Sequence, residues 1–494
     1  MTEQSYHEWG LFVDGTFRPS ESNSRFDVES PANKSVIGSA PEGTAGDVDT
    51  AVKVAQETYE QMWRHVSARE RVDYLLEVAD RLEERAEEFV QLETLENGKP
   101  LYESEVDVEE AIDGYRYYAG AADKTHGTTI PERDELFDYT VREPYGVIGV
   151  IIPWNWPPMH TADFTAPALA AGNTVVLKPA PETPLSSLMM AEIWQDVLPD
   201  GVVNVVTGDV DPGVRLTGHP DIDKLVFTGH TETGTKVMKA AAEDITDVML
   251  ELGGKNANIV LPDADLEQAV QGSYDGIFNN QGQACANGSR LYVHDNIYNE
   301  FINRFVEKTD EMVIGPGTDD KTDLAPLASQ QQYDKVTGYI ELGKEEGASI
   351  IYEGEVPNDL PDGYYVPPVI FGDVTQDMRI VQEEIFGPVL TVQKYDKVED
   401  AIKMANDTEY GLTGAVWSQN MEVANRVARR LDAGLIFVNN FVNGFLGAPF
   451  GGYKKSGIGR KLGFEETMNE FTQVKTIRSR IAPSEQNSLE EYYE

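Results

Sequence analysis

Residues 145–157 read YGVIGVIIPWNWP. The run from Val147 to Ile152 is almost wholly β-branched, with no polar residue alternating through it. Such a run reads as a strand buried on both faces, the kind that lies inside a parallel sheet. The prolines at 153 and 157 stop it, since proline cannot donate to a ladder. Working outward, NTVVLKP (173–179), GVVNVVTG (201–208) and DKLVFTG (223–229) repeat the pattern, each followed by a helix-like segment. Strand–helix alternation of this kind implies a doubly wound α/β sheet. After DVMLELGG (247–254) a second set begins: NANIVL (256–261), SRLYVH (289–294), ASIIYEG (348–354), GAVWS (414–418) and GLIFVNN (434–440). The chain therefore reads as two doubly wound α/β units with a hinge near Leu252–Lys255.

Two amphipathic helices are expected before the first unit's strands. One runs from Asp47 to about Trp63. The other spans Arg69 to Glu96, with apolar residues at Val72, Leu75, Leu76, Ala79, Leu82, Phe89 and Val90, and Asn97-Gly98 with Pro100 as its stop. Residues 127–142, GTTIPERDELFDYTVR, fit neither unit and read as a β-hairpin excursion, as does the strand-like TQVKTIRSRI (472–481). Protruding extended pieces are candidates for pairing between subunits. The boundaries are 1–125 with 143–252 for one unit, 253–462 for the other, and 126–142 with 463–494 for the excursion.

The bulk composition narrows the function classes. The chain has 85 acidic against 40 basic residues, a formal net charge of −45. The acids are spread, in LEERAEEF, ESEVDVEEA and the tail SLEEYYE, so the whole surface is acidic. A polyanion such as nucleic acid would be repelled. Adaptation to molar salt fits this charge, because the Debye length falls to about 3 Å at 1 M and self-repulsion is screened. An acidic protein from ordinary salt is the competing reading. No early apolar run reaches membrane-spanning length, and the start MTEQSYHEWGLFVDG lacks signal-peptide features. A cytoplasmic protein without membrane or metal partners is expected, the seven histidines having no ligand spacing.

Four stretches carry candidate chemistry. NNQGQACANGSR (279–290) holds Cys285, the single cysteine; an inert buried thiol is the usual fate of such a residue. KLVFTGHTETG (224–234) sets a strand before Gly229 and Gly234, where a helix N-terminus attracts phosphate, although a plain strand–turn–helix reads equally well. MLELGGK (249–255) places Glu251 at a strand's carboxyl end, where α/β sheets hold ligands, between leucines that favour burial and a raised pKa. PWNWP (153–157) offers the Asn155 amide, an oxyanion donor or simply a turn cap. Lys178, ending another strand, can reach a ribose or phosphate.

In combination these motifs resemble the aldehyde dehydrogenase family over nearly the whole chain. PWNWP, LKPA, FTGHTETG, ELGGK, NQGQAC, EEIFGP and PFGGYKKSGIGRKLG occur in that family's order. The resemblance implies a Rossmann-like cofactor domain, an α/β catalytic domain and a small β oligomerisation element. It implies that Cys285 attacks an aldehyde carbon and that Asn155 and the Cys285 N–H hold the oxyanion. The resulting thioester is hydrolysed by water that Glu251 activates. The site must then favour the thiolate over the free thiol of pKa about 8.5. By the same resemblance Pro153, Trp154, Lys178, Gly208, Thr228, Gly229, His230, Gly234, Leu252, Gln332, Glu384 and Phe386 bind NAD or NADP. Asp163 and Phe450 face the aldehyde.

Several positions depart from the family's pattern. Pro181 stands where an acid that rejects a 2′-phosphate is frequent, His230 replaces a small hydroxyl residue, and the loop from Gly208 is short. NAD stays only slightly ahead of NADP. Asp163 and Phe164 occupy positions often aromatic or Arg-Lys, leaving no arginine clamp for a carboxylate and pointing to neutral or cationic aldehydes. The ACANG surroundings of the thiol are faintly similar to betaine-aldehyde enzymes. A coenzyme-A-acylating relative is the first alternative, opposed by Glu251. A non-catalytic protein on the same scaffold is the second, opposed by the retained thiol and base. A homodimer or homotetramer is expected.

Overall fold

The computed structural model describes residues 6–132, 136–441 and 446–481. The acidic tail SLEEYYE and part of the 127–142 excursion lie outside the described residues.

The stretch 147–151 is a strand at the centre of an eight-stranded sheet. Thr174–Lys178 and Val203–Val205 lie on one side of it in parallel; Lys224–Thr228 and Asp247–Glu251 lie on the other. The chain thus builds outward from Val147–Ile151, then returns past it. That reversal opens a crevice at the carboxyl ends of Val147–Ile151 and Lys224–Thr228, where Pro153–Asn155 and Gly229 emerge. Both strands are buried along nearly their whole length, as uniform apolar runs demand.

The sheet is mixed. A short hairpin, Leu11–Val13 with Thr16–Arg18, adds antiparallel to Val203–Val205. Its turn is Asp14-Gly15, both at positive φ, a pair that favours two-residue hairpin turns. At the opposite edge Gly457–Ile458, drawn by the sequence into the second unit, pairs antiparallel with Leu250 and Glu251. Residues 252–256 link this sheet to a seven-stranded one, in the order Ser349–Glu353, Val369–Gly372, Val389–Tyr395, Arg290–His294, Ala257–Val260, Thr413–Trp417 and Leu435–Val438. All its neighbours are parallel except Ser349–Glu353, which is antiparallel at the edge. A three-stranded sheet joins Thr472–Arg480, Leu136–Pro144 and Thr129–Ile130.

The early helices differ from expectation in one respect. Ala45–Gln61 is a helix with a Thr44–Asp47 capping box. The segment read as one helix from Arg69 to Glu96 is two, Ala68–Glu84 and Ala86–Asn97, with non-helical backbone at Arg85. The first buries one stripe, Leu75, Val78, Ala79 and Leu82. The second is buried almost all round, between helices Leu101–Ala119 and Leu185–Val197, so it takes its own direction. Among the described residues no helix is long and apolar enough to cross a membrane.

Candidate active site

Cys285 lies between helix Leu266–Phe278, capped by the Asp265 side chain, and strand Arg290–His294. The turn before it holds Asn280, Gln281 and Gly282 at φ of 50°, 57° and 75°. Left-handed backbone costs about 1–2 kcal/mol for each non-glycine residue, so the turn must be held from outside. The Glu103 carboxylate accepts the Asn280 N–H (2.9 Å), and Gln283 Oε1 accepts the Ala328 N–H (3.0 Å). Asn280 Nδ2 donates to the carbonyl of Asn155 (2.9 Å).

That last bond ties the thiol's turn to PWNWP. The Asn155 carbonyl also accepts from Lys99 Nζ (2.9 Å), a buried ammonium paired with Glu93 (3.0 Å) and Asp107. Asn155 Nδ2 donates to the Gln283 carbonyl at 3.0 Å. Asn155 is thus held through its backbone carbonyl and its Nδ2, while its Oδ1 is buried without a partner.

Glu251 ends its strand and is 2% exposed. Its carbonyl accepts the Gly229 N–H (3.0 Å), joining the two turns at the crevice. Neither carboxylate oxygen has a hydrogen-bond partner. Burial pushes its pKa up to about 8, against the pull of Lys461 and Arg460. The Gly253-Gly254 step that follows is required by close approach: a Cβ on Gly253 would strike the Glu384 carboxylate, and one on Gly254 the Cys285 carbonyl. Gly254 N–H donates to Glu384 Oε1 at 2.8 Å.

Two cavities meet at the thiol. The larger, about 480 Å³, is lined by Asn155, Glu251 and Cys285 together with Pro153, Trp154, Thr228, Gly229, His230, Leu252, Gln332, Glu384 and Phe386. Three residues expected there do not line it. Lys178 is buried, with Nζ bonded to the Pro179 carbonyl (3.1 Å), and burial pulls its pKa down to about 8. Gly208 sits at φ 132° against Pro212 and Glu42, and Gly234 makes room for Leu252 within helix Thr231–Asp244. Glu182 and Lys335 line it unannounced. Glu182 stands one residue beyond the position where the sequence search for an acid ended at Pro181. Lys335 lies one helical turn after Gln332 on helix Gln330–Glu345, a spacing that was legible.

This cavity fits a dinucleotide. It opens at the strand-order reversal and meets the N-terminus of helix Thr231–Asp244, where backbone N–H groups attract phosphate. Thr228 Oγ1 is buried there without a partner.

The second cavity, about 260 Å³, is lined by Trp156, Met159, His160, Phe441, Phe450 and Leu462 around Cys285. Asp163 lines it too, but its carboxylate is held by Lys461 Nζ (2.7 Å). Glu103, Asp107, Glu110 and Asp275 add further acids. Burial pushes Glu110 up to about 7, helped by Asp163 and Asp107. The thiol itself departs from expectation. Burial raises it to about 12, against Lys461 and with Glu251 and Glu384 adding to the rise, so the resting site keeps a neutral thiol.

Residues 17–477 match the family described as the aldehyde dehydrogenase family. An aldehyde dehydrogenase of Emericella nidulans is 42% identical over 96% of this chain and 95% of its own. The NAD+ complex of a Bacillus cereus aldehyde dehydrogenase superposes with a TM-score of 0.94 at 41% identity, covering 96% of this chain and 97% of that one. A Staphylococcus aureus betaine aldehyde dehydrogenase bound to NAD+ also reaches 0.94, at 37% identity, over 97% and 96% of the two chains. The chain belongs to the aldehyde dehydrogenase family. It is an NAD(P)-dependent oxidoreductase that acts on an aldehyde.

Proposed function

We propose that Cys285 attacks the aldehyde carbon from the wall shared by the two cavities, with Glu251 and Asn155 serving the same carbon. The observation that carries this is the meeting of the three side chains on one cavity while the thiol also borders the aromatic one. The second N–H of Asn155 Nδ2 and the Cys285 backbone N–H receive the oxyanion. When bound, the nicotinamide accepts the hydride; Trp154, Thr228, Glu384 and Phe386 orient it beside the thiol. Glu251, once ionised, takes a proton from the water that cleaves the thioester, a contribution of about 10²–10⁴-fold.

The finer features rest on local chemistry. NAD is the preferred cofactor, because Glu182 brings a carboxylate to the cavity near Lys178 and would repel a 2′-phosphate. Residues 1–125 with 143–252 hold the cofactor, and 253–462 supply the thiol. The substrate is a neutral or cationic aldehyde, since the aromatic cavity is rimmed by acids and its one lining lysine is already paired. Homodimers or tetramers form through the sheet of Leu136–Pro144 and Thr472–Arg480, whose Phe137 and Val474 are exposed. A cytoplasmic setting fits a reactive thiol with no disulfide partner, and a salt-rich one fits the net charge of −45.

The test is cofactor reduction followed at 340 nm with aldehyde, with and without coenzyme A. Turnover is expected without coenzyme A and is lost in Cys285→Ala. Activity surviving in that variant, or a strict need for coenzyme A, overturns the reading.

A further inference from the structure

The motif GRKLG places Lys461 where neither the expected catalytic set nor the expected cofactor set uses it, yet its ammonium lies inside the reaction chamber. Lys461 is 4% exposed and lines the aromatic cavity with Cys285. Its backbone N–H and C=O both pair with those of Phe450, at 2.8 Å each, which fixes where the side chain starts. Its Nζ donates to Asp163 Oδ2 at 2.7 Å and lies 5.4 and 5.5 Å from the ring centres of Phe164 and Phe450. His160 Nδ1 stands 3.4 Å from Nζ and 3.2 Å from Asp163 Oδ2. Burial pulls His160 down to about 4, so the histidine adds no charge.

A fully buried ion pair is costly to form, and an apolar pair of the same volume is frequently as stable. Retention of this one inside the chamber calls for a use beyond packing. The charged groups facing the thiol are Lys461, Glu251 and Glu384. Those facing Lys461 are Asp163, Glu251 and Cys285, with Arg460 acting on Glu251 from the neighbouring position. Glu110 and Asp107 on helix Leu101–Ala119 and Asp275 on helix Leu266–Phe278 complete the ring. Lys461 is thus the cation set against two groups that must each become an anion during turnover.

We propose that Lys461, anchored by Asp163, is a positioning cation that lets Cys285 release its proton for attack and lets Glu251 ionise for hydrolysis. The S–H bond breaks heterolytically, the electron pair stays on sulfur, and the proton passes to solvent. Burial opposes both ionisations, and the fixed ammonium offsets part of that penalty without entering the bond changes. The inference rests on the reading of Cys285 as nucleophile but is measured apart from it, because alkylation of the single cysteine needs neither aldehyde nor cofactor.

The experiment is the rate of iodoacetamide alkylation of Cys285 from pH 6 to 11, with cooperative melting as the check on folding. Lys461→Met is expected to slow alkylation about ten-fold throughout this range, a shift of about one pKa unit in a thiol that burial already raises to about 12. Lys461→Arg stays within about two-fold of the parent, since it restores the charge. The double variant Asp163→Asn/Lys461→Met, which leaves no unpaired buried charge, alkylates faster than Lys461→Met but slower than the parent. Asp163→Asn alone keeps the cation and removes its counter-charge, so it alkylates faster at pH 8. Coincidence of the double variant with the parent would assign Lys461 to packing alone, and a slower Asp163→Asn would equally overturn the proposal.

Discussion

The Asn256 Nδ2 group donates to the carbonyl of Cys285 at 2.8 Å, so the backbone of the single thiol is held by the segment that links the two sheets. The same Nδ2 bonds the Asn287 carbonyl at 2.8 Å, and Oδ1 accepts the Thr413 N–H at 3.0 Å. Both N–H groups and the oxygen of this buried amide are therefore engaged, to the Cys285–Asn287 loop and to strand Thr413–Trp417.

Asn256→Ala leaves those buried partners unsatisfied. Each such group costs about 1–3 kcal/mol. A loss of about 3 kcal/mol in unfolding free energy is expected, read as a lowered urea midpoint, with turnover falling more than cofactor binding. An unchanged midpoint would show that water replaces the amide at no cost.

Glu251 gives a prediction in pH. Its folded pKa lies near 8 against 4.5 for the free side chain, so the native state binds the proton more tightly than the unfolded chain. The stability this brings is full below about 4.5 and is lost as pH rises through about 8. Glu251→Gln should therefore be more stable than the parent at pH 8, by about 4 kcal/mol, with the difference vanishing near pH 4.5. Turnover shows the opposite trend. In the parent it rises with pH through about 8, and in Glu251→Gln it falls by about 10²-fold or more. A melt at each pH, paired with a rate profile, checks both.

Net charge gives the third. With 85 acidic and 40 basic residues, self-repulsion is strong at low ionic strength and screened at about 1 M. The melting temperature is expected to climb steeply between low and molar KCl. A flat profile removes the salt-adapted reading and leaves the rest intact.

The fourth concerns substrate charge. The acids Glu103, Asp107, Glu110 and Asp275 line the aromatic cavity beside Trp156 and Phe450, which favours a cation over an anion. In a panel at fixed salt, betaine aldehyde and neutral aliphatic or aromatic aldehydes should give higher kcat/KM than succinate semialdehyde. Preference for the dianion-forming substrate would mean that Lys461 leaves Asp163 to bind a carboxylate.

How much of this was legible in the sequence follows from how local each signal is. The parallel strands were, because burial on both faces writes itself as an unbroken apolar run, as in Val147–Ile151. Cys285, Glu251 and Asn155 were singled out by the order of their motifs along the chain rather than by any one motif, and the structure brings all three to one cavity. The hairpin at Leu11–Arg18 was not, since its strands are only three residues each, and the strand Gly457–Ile458 was not, since its partner Leu250–Glu251 is far along the chain. The break at Arg85 was hidden because Phe89 and Val90 continue the periodicity while the helix axis changes direction. Lys461 and Lys99 show the limit most clearly. Either reads as a solvated lysine until Asp163, or Asn155 and Glu93, is brought within hydrogen-bonding reach.

The placing of Cys285 on the boundary between two separate chambers bears on how the enzyme is inhibited. A compound filling the aromatic chamber occupies none of the volume lined by Thr228, Glu384 and Phe386, so saturation with dinucleotide leaves its seat free. Inhibitors of that kind are expected to compete with aldehyde and not with NAD(P).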